Sequence, residues 1–471
     1  MQTVFRHLFS AEKMIPEHRR MGEIPGTRQA YKDVLVIALP SVAEMVLVSL
    51  VGSVDMMMLG PLGPEAIAAV GLTGQPRMLL LSVFFALNVG VTAVVARRRG
   101  EGRQKEANEV VRNAMVIILL LSVLLMAAVL PFARQLMAVA GAQADTLDLA
   151  TTYFLIVSSV MPVNALTICI NAAQRGVGNT RMTLIVNAIS NVVSIVLNFL
   201  LIEGRFGFPA LGVAGAALAT ATAFVVGFLV SLHSIFSIRS IGRFLHVRLK
   251  DSWKLRKESV LSVTRVGGSA MFEQMAMRIG FFLYARFIAD LGTIAFAAHQ
   301  VCMQFLNLSF SFGDGIGVAG TALVGQKLGQ NRPDLAMLYG KISQRMAFVG
   351  AIVILSTIIV FRRPLVMLFT DDAQVIALAT SVMVMVAAFQ PMQTSSVVIS
   401  GALRGAGDTK YVAVTMLVCA ALIRPTLAYV GINFIGLGLF GAWSAGLIDM
   451  AIRLTAMFRR FNGGKWFHIK V

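Results

Sequence analysis

The sequence predicts an all-α membrane protein of twelve transmembrane helices in two six-helix lobes. Three observations predict this fold class: the apolar composition, the distribution of basic residues and an internal repeat. Hydrophobic residues make up 57% of the 471 residues, and charged residues make up 14%. Apolar stretches of about 18 to 25 residues recur along the chain. Each is long enough to cross a hydrocarbon core of about 30 Å as an α-helix.

The predicted spans divide into two sets of six. The first six are residues 34–59, 67–96, 113–131, 150–172, 182–202 and 212–237. The second six are residues 260–289, 295–326, 342–361, 374–401, 411–432 and 438–458. These spans predict five segments, namely an N-terminal tail (1–32), an N-terminal lobe (33–238), a basic linker (239–258), a C-terminal lobe (259–460) and a C-terminal tail (461–471).

Basic residues alternate from one side of the predicted spans to the other. The two tails and five alternate loops contain 31 Lys and Arg residues, whereas the six intervening loops contain 4. Because Lys and Arg concentrate on the cytoplasmic side, both termini are predicted to lie in the cytoplasm. The net charge of +18 therefore indicates topology and attraction to anionic lipids rather than binding to nucleic acid.

One offset of 229 residues relates the two halves of the chain. It places residues 174–180 on residues 403–409, Pro162 on Pro391, and Glu44 on Glu273. Each half has an even number of spans, so both halves enter the membrane in the same orientation. The lobes are therefore predicted to be related by a pseudo-two-fold axis along the membrane normal.

Several classes of function are disfavoured by missing motifs. The chain has no G-x-x-x-x-G-K-[ST] phosphate loop, and no Ser/His/Asp set or His-rich metal cluster emerges from it. We therefore expect a transporter rather than an enzyme, without a cofactor and driven by an ion gradient or by the gradient of its substrate.

Three intramembrane carboxylates are candidates for coupling to a cation or proton. A carboxylate in a transmembrane helix costs at least about 2.5–3.5 kcal/mol on insertion scales, so each is expected to have a functional or structural role that offsets this cost. Asp55 is a candidate ion site in the first span, or an interfacial residue near the outer end of that helix. Glu44 and Glu273 either exchange a proton or hold the lobes together through hydrogen bonds. Asp55 has Tyr284 at its repeat position, so coupling through Asp55 is expected to be asymmetric.

Polar side chains in other spans are candidates for a substrate cavity. Asn187, Asn191 and Asn198 lie on one face of the fifth span, where amides line a cavity or bond to adjacent helices. Asn164 and Gln393 are repeat equivalents. The remaining cavity candidates are Met277, Tyr284 and Arg424.

Taken together, these residues resemble the multidrug and toxic compound extrusion (MATE) family. The resemblance covers about residues 33–458. The motifs that carry it are Pro40, Val54-Asp55, residues 62–72, 175–180, Asn191, 198–202, 297–300, 324–329 and 403–409.

The resemblance implies an antiporter that exports organic, often cationic and amphipathic, compounds by alternating access. Such proteins admit Na⁺ or H⁺ in exchange and lie in the bacterial cytoplasmic (inner) membrane. Asp55 matches the first-helix aspartate that the family uses for coupling, so it is the one position where a bound Na⁺ is expected. The implied partners are a small organic substrate and membrane lipids, and the protein is expected to be a monomer.

The chain departs from the subfamilies at three positions. NorM-type members have a glutamate where this chain has Met277 and an aspartate where it has Gln393, while DinF-type members have an aspartate where it has Asn198. The chain is nearer to the NorM type, but it lacks the two carboxylates that the NorM type has in its C-terminal cation site. The alternative function is a flippase for lipid-linked precursors or polysaccharides, which the intramembrane arginines Arg278, Arg286 and Arg424 keep open.

Overall fold

The computed structural model describes residues 9–237, 244–248 and 250–469, and these residues form helices and connecting loops without a strand. Among them, nine helices are long and apolar enough to cross a membrane, or ten when one bent pair is counted as a span. Two more helices, Lys257–Ala289 and Gly438–Gly463, cover the other two predicted spans and carry charged residues within them. The all-α, twelve-helix fold class is therefore confirmed.

Six helices cover the first six predicted spans. They are α1 (Thr27–Met58), α2 (Pro64–Gly100), α3 (Gln104–Val129), α4 (Leu147–Ser159 with Met161–Gly176), α5 (Thr180–Leu201) and α6 (Gly212–Phe236). The two parts of α4 are bent by 50° relative to each other. Pro162 explains the bend, because it has no N–H for the carbonyl of Ser158 and its ring clashes with that carbonyl.

Six further helices cover the second set of spans. They are α7 (Lys257–Ala289), α8 (Thr293–Gly329), α9 (Pro333–Met367), α10 (Ala373–Gly405), α11 (Thr409–Met416 continuing to Arg424–Asn433) and α12 (Gly438–Gly463). The two parts of α11 are joined by a π-helical turn, Leu417–Ile423. Pro425 follows this turn and cannot donate to the carbonyl of Ala421, so regular α-helical bonding is interrupted there.

The chain divides into two compact units. The N-terminal unit is Ala43–Gly267, and the C-terminal unit is Gly268–Val471 together with Met1–Val42. These boundaries fall inside α1 and α7 rather than in the predicted linker 239–258, part of which lies outside the described residues. The predicted lobe boundaries and the pseudo-two-fold axis stay predictions.

The segment before α1 packs onto the C-terminal unit. Ala11, Met14 and Ile15 are buried in an apolar cluster with residues of α8 and α9. Lys341 Nζ donates to the carbonyl of Met14 at 2.9 Å, and Arg19 Nη1 donates to the carbonyl of Asn462 at 2.9 Å. Part of the predicted N-terminal tail therefore contributes to the core, because its apolar side chains are removed from water there.

Glycine allows α7 to lie directly against the π-helical turn of α11. A Cβ atom at Gly280 would lie only 2.0 Å from the carbonyl oxygen of Ala420. Small residues at such crossings let two helix backbones approach closely. The close contact holds α7 against the irregular part of α11.

Gly280→Ala is expected to destabilise the protein by about 1–3 kcal/mol, because the added methyl group meets backbone that must move. Gly268→Ala, in the same helix, is the matched control, since nothing lies within 4 Å of its added Cβ. The control should be neutral or gain about 0.5–1 kcal/mol of helix stability. Thermal unfolding of the purified variants in detergent measures the difference. Equal melting temperatures for the two variants would contradict the close approach.

Candidate functional site

In the N-terminal unit, two carboxylates of α1 each accept a hydrogen bond from an asparagine of α5. Asn187 Nδ2 donates to Glu44 Oε1 at 2.7 Å, and Asn198 Nδ2 donates to Asp55 Oδ1 at 2.8 Å. The two carboxylates and the two amides are both 11 residues apart in sequence. Because 11 residues make about three helical turns, each set lies on one face of its helix.

Glu44 is fully bonded and paired with a cation. Its side chain is 1% exposed, and Arg175 Nη2 donates to Oε1. Thr183 Oγ1 donates to Oε2 at 2.6 Å, in addition to the bond from Asn187. A buried ion pair of this kind is stable when further hydrogen bonds satisfy the carboxylate. The arrangement joins α1 to the C-terminal end of α4 and to α5.

Asp55 has no cationic partner within 4.0 Å among the residues that the structure describes. The side chain is half-buried, and the amide that bonds to it belongs to the buried Asn198, whose Oδ1 atom has no hydrogen-bond partner within the described part of the chain. An unpaired carboxylate in a low-dielectric environment is neutralised by taking up a proton or a cation. Asp55 and the free carbonyl oxygen of Asn198 offer oxygen atoms to either one.

Asn191 lies on α5 between the two bonded asparagines. It follows Asn187 by four residues, so it lies on the same face of the helix. Its Nδ2 atom is buried without a partner. Asn164 is half-buried near the start of the second part of α4. The structure thus brings Asn187 and Asn198 to the carboxylates, while Asn191 stays an unpaired donor between them.

In the C-terminal unit, the repeat equivalents of Glu44 and Arg175 also form a pair, but a looser one. Arg404 Nη2 lies 3.8 Å from Glu273 Oε1. Glu273 is buried, and none of the described residues forms a hydrogen bond with its Oε2 atom. Both glutamates were predicted from the sequence as coupling candidates, but their arginine partners were not predicted. The 229-residue offset relates both members of each pair and could have revealed them.

The reason for the looser pair lies in two substitutions between the repeats. At the 229-residue offset, the polar pair Thr183 and Asn187 is replaced by Val412 and Met416. Both replacements are apolar and buried, so neither can donate to a carboxylate. The pair in the C-terminal unit therefore has the same charges as the other pair and fewer hydrogen bonds.

Arg424, predicted from the sequence as a cavity residue, belongs to a second buried ionic cluster. Arg424 Nε donates to Asp449 Oδ2 at 2.9 Å, and Arg453 Nη2 donates to the same oxygen at 2.7 Å. All three side chains are more than nine-tenths buried. The four-residue spacing of Asp449 and Arg453 on one helix is a signal for part of this cluster. Tyr284, at the repeat position of Asp55, has its ring 5.7 Å from the Arg424 guanidinium.

The last two cavity candidates lie in packed surroundings. Met277 packs against an apolar cluster that includes Val412 and Met416. Gln393 is buried in α10. At the two positions where NorM-type members have carboxylates, this chain therefore has an apolar side chain (Met277) and a buried amide (Gln393).

Long apolar helices, ion pairs repeated between the two halves and an unpaired carboxylate on α1 define, within the described residues, a multi-pass membrane transporter. The sequence model of the MatE family matches residues 40–200 and 269–430. The two matched segments begin 229 residues apart (269 against 40), which is the offset of the internal repeat. The chain belongs to the MatE family, as the resemblance predicted.

Relatives of similar length support this assignment, and a solved structure of similar length has the same fold. The chain is 28% identical over 445 residues to the probable multidrug resistance protein NorM of Thermotoga maritima, covering 94% of each chain. It is 28% identical over 384 residues to the multidrug resistance protein NorM of Vibrio cholerae, covering 80% of this chain and 82% of the relative. The fold is similar to an outward-facing multidrug resistance MATE family transporter, with a TM-score of 0.86 at 22% identity over 93% of this chain and 97% of the other.

Glu44→Gln is expected to lower the free energy of unfolding by about 3 kcal/mol, because it leaves Arg175 without its partner. That value is at the low end for a broken buried pair, since 23% of the Arg175 side chain stays exposed. Glu273→Gln, the repeat-matched comparison, should cost less because its ion pair is longer and one oxygen is unbonded. Thermal unfolding in detergent shows which of the two variants loses more stability. A larger loss for Glu273→Gln would contradict this account of the two pairs.

The double substitution Val412→Thr and Met416→Asn is expected to stabilise the protein. It gives Glu273 the counterparts of the Thr183 and Asn187 donors that bond to Glu44. Each hydrogen bond to a charged group contributes about 1.5–3 kcal/mol before packing losses. The same double substitution in a Glu273→Gln background is the control. If the rise in melting temperature is the same in both backgrounds, the new side chains do not act on the carboxylate.

Proposed function

We propose that the protein is a secondary active antiporter that exports organic compounds in exchange for H⁺ or Na⁺ by alternating access. The observation that carries the proposal is Asp55, an intramembrane carboxylate held by one amide and without a cation among the described residues. Asp55 is the ion-loading residue in this proposal. Glu44, whose charge is already balanced by Arg175, keeps α1 in place.

The proposed exchange follows from the neutralisation of Asp55. Loading with a proton or Na⁺ changes what the Asn198 amide bonds to and removes a negative charge from the face of α1. An ion shifts a conformational equilibrium only by the difference between its affinities for the two states. Export therefore requires that the loaded and unloaded forms of Asp55 favour different access states and hold the substrate with different affinity.

The substrate class rests on the relatives. Two relatives that cover most of the chain are named multidrug resistance proteins, which supports organic compounds as the exported class. A flippase for lipid-linked pyrophosphates would need several cations free to bind two or more negative charges. Here Arg424 and Arg453 both bond to Asp449, which disfavours that alternative. The proposal has no cofactor besides the coupling ion, and it takes the protein as a monomer.

Asp55→Asn is expected to reduce gradient-driven dye efflux to the leak of vesicles without the protein, because asparagine cannot load a proton and binds a cation weakly. Efflux is measured in reconstituted vesicles under proton and Na⁺ gradients imposed separately, and the gradient that drives the wild type identifies the ion. Asp290→Asn is the matched control, since this aspartate pairs with Arg286 and is more than half exposed. Undiminished efflux by Asp55→Asn, or an equal loss in the control, would overturn the role of Asp55.

A further inference from the structure

The N-terminal strap, residues 9–26, lies beside three basic side chains that no carboxylate neutralises. Lys341 and Arg345 are four residues apart on one face of α9, and Arg19 belongs to the strap. Arg345 and Arg19 both act electrostatically on Lys341. None of the three lies within 4.0 Å of a carboxylate among the described residues, and all three side chains are partly exposed. The strap and α9 thus form a basic site that is open to the surface.

The charge of this region stays positive when every carboxylate is counted. Residues 9–33 (the strap with the start of α1) and residues 327–345 (the end of α8 with the start of α9) contain nine Lys and Arg against five Asp and Glu. Asp334 is already bonded to Arg332, and the three carboxylates of the strap are exposed to solvent. An anionic group that binds here therefore reduces the repulsion between the cations.

Two polar groups beside these cations have no hydrogen-bond partner. Arg345 Nη1 and the hydroxyl of Tyr31 are both without one among the described residues. The ring of Phe9 links them, since its centre lies 6.0 Å from the guanidinium carbon of Arg345 and 6.4 Å from the centre of the Tyr31 ring. A polar group that is removed from water without a partner costs about 1–3 kcal/mol, so an oxygen acceptor beside the partly exposed arginine is favoured.

A stripe of exposed apolar side chains begins at this basic site on each of two helices. Val349 and Val353 lie four and eight residues beyond the arginine of the site on α9, and they are 47% and 63% exposed. On α1, Leu35 and Leu39 lie four and eight residues beyond Tyr31, and they are 38% and 62% exposed. Steps of four residues keep side chains on one face of a helix. Each stripe is therefore a continuous apolar face below the basic site.

Both stripes begin at the same end of the C-terminal unit. The first part of α1 packs against α9 through an apolar cluster that includes Val34, Ile37 and Ile342, and the hydroxyl of Tyr339 donates to Asp33 Oδ2 at 2.7 Å. Basic side chains at the edge of an exposed apolar surface lie at the level of phospholipid head groups. The basic loops predict this side to be the cytoplasmic one, where the membrane surface is negatively charged.

We infer that Arg345, Lys341 and Arg19 bind the phosphate group of an anionic phospholipid, whose acyl chains lie along the exposed stripes of α1 and α9. Phosphate oxygens accept strong hydrogen bonds from guanidinium and ammonium groups. Because one of the three cations belongs to the strap and two belong to α9, the bound lipid joins the strap to the C-terminal unit. A zwitterionic lipid has the same phosphate but carries its own cation, so the site favours lipids with a net negative charge.

Binding of short-chain lipids to the full-length protein in a nonionic detergent tests the inference without any gradient. The probes are dioctanoyl phosphatidylglycerol, dioctanoyl phosphatidylcholine and inorganic phosphate, and each titration is followed by hydrogen exchange of residues 9–20. Phosphatidylglycerol should slow this exchange and bind about tenfold more tightly than phosphatidylcholine, the effect of one hydrogen bond to a charged group. Equal effects of the two lipids, or equal protection by inorganic phosphate, would overturn the inference.

Substitutions on α9 separate this site from the overall charge of the protein. Arg345→Gln breaks no salt bridge to a described residue, so its melting temperature without lipid should be close to that of the wild type. It should bind phosphatidylglycerol about tenfold more weakly and lose the protection of the strap, whereas Arg345→Lys, which keeps the charge, should retain the preference for this lipid.

The matched control is the double variant Arg362→Gln, Arg363→Gln. It removes two exposed positive charges at the opposite end of the same helix, and it should bind phosphatidylglycerol as the wild type does. If this control loses as much affinity as Arg345→Gln, the lipid responds only to overall charge and the inference fails. Unchanged binding and strap protection in Arg345→Gln would overturn it as well.

Discussion

A carboxylate buried in an apolar environment must be neutralised, and the pairing of Glu44 with Arg175 is the interaction on which the arrangement of the N-terminal unit depends. It fastens the first helix to the end of the fourth. Thr183 and Asn187 complete the bonding from α5, so three helices meet at one charge. Since this pair is satisfied internally, Asp55 is the carboxylate of α1 that has no cationic partner among the described residues.

The duplicated unit has kept its framework and changed its chemistry. Both copies retain a glutamate on the first helix and an arginine at the end of the fourth. The hydrogen-bond donors around the glutamate are present in one copy, and Val412 and Met416 occupy their positions in the other. Tyr284, beside a buried arginine, occupies the position of Asp55. The N-terminal unit therefore has an unpaired carboxylate at the position where the C-terminal unit has a neutral tyrosine.

The fold could be predicted from sequence because crossing a membrane requires long apolar helices. The predicted span 212–237 and the observed helix Gly212–Phe236 differ by one residue. The site was less predictable, because a charge in a span is neutralised by a residue on another helix, and hydropathy does not identify that residue. The pair Glu273–Arg404 could have been found from the repeat. The bond from Arg424 to Asp449 could not, since it joins α11 to α12 without a repeated counterpart.

The asymmetry between the units is suited to coupled exchange. If both units carried an unpaired carboxylate on the first helix, both could load ions, and the charge exchanged per cycle would not be fixed. In the proposed exchange the ion-loading residue lies in the N-terminal unit, so ion binding would change the charge of one unit only. The cluster of Arg424, Asp449 and Arg453 has fixed charges that stay the same through the proposed cycle, since each arginine holds the same carboxylate oxygen. The proposed cycle therefore combines a charge that switches on one repeat with a cluster of constant charge on the other.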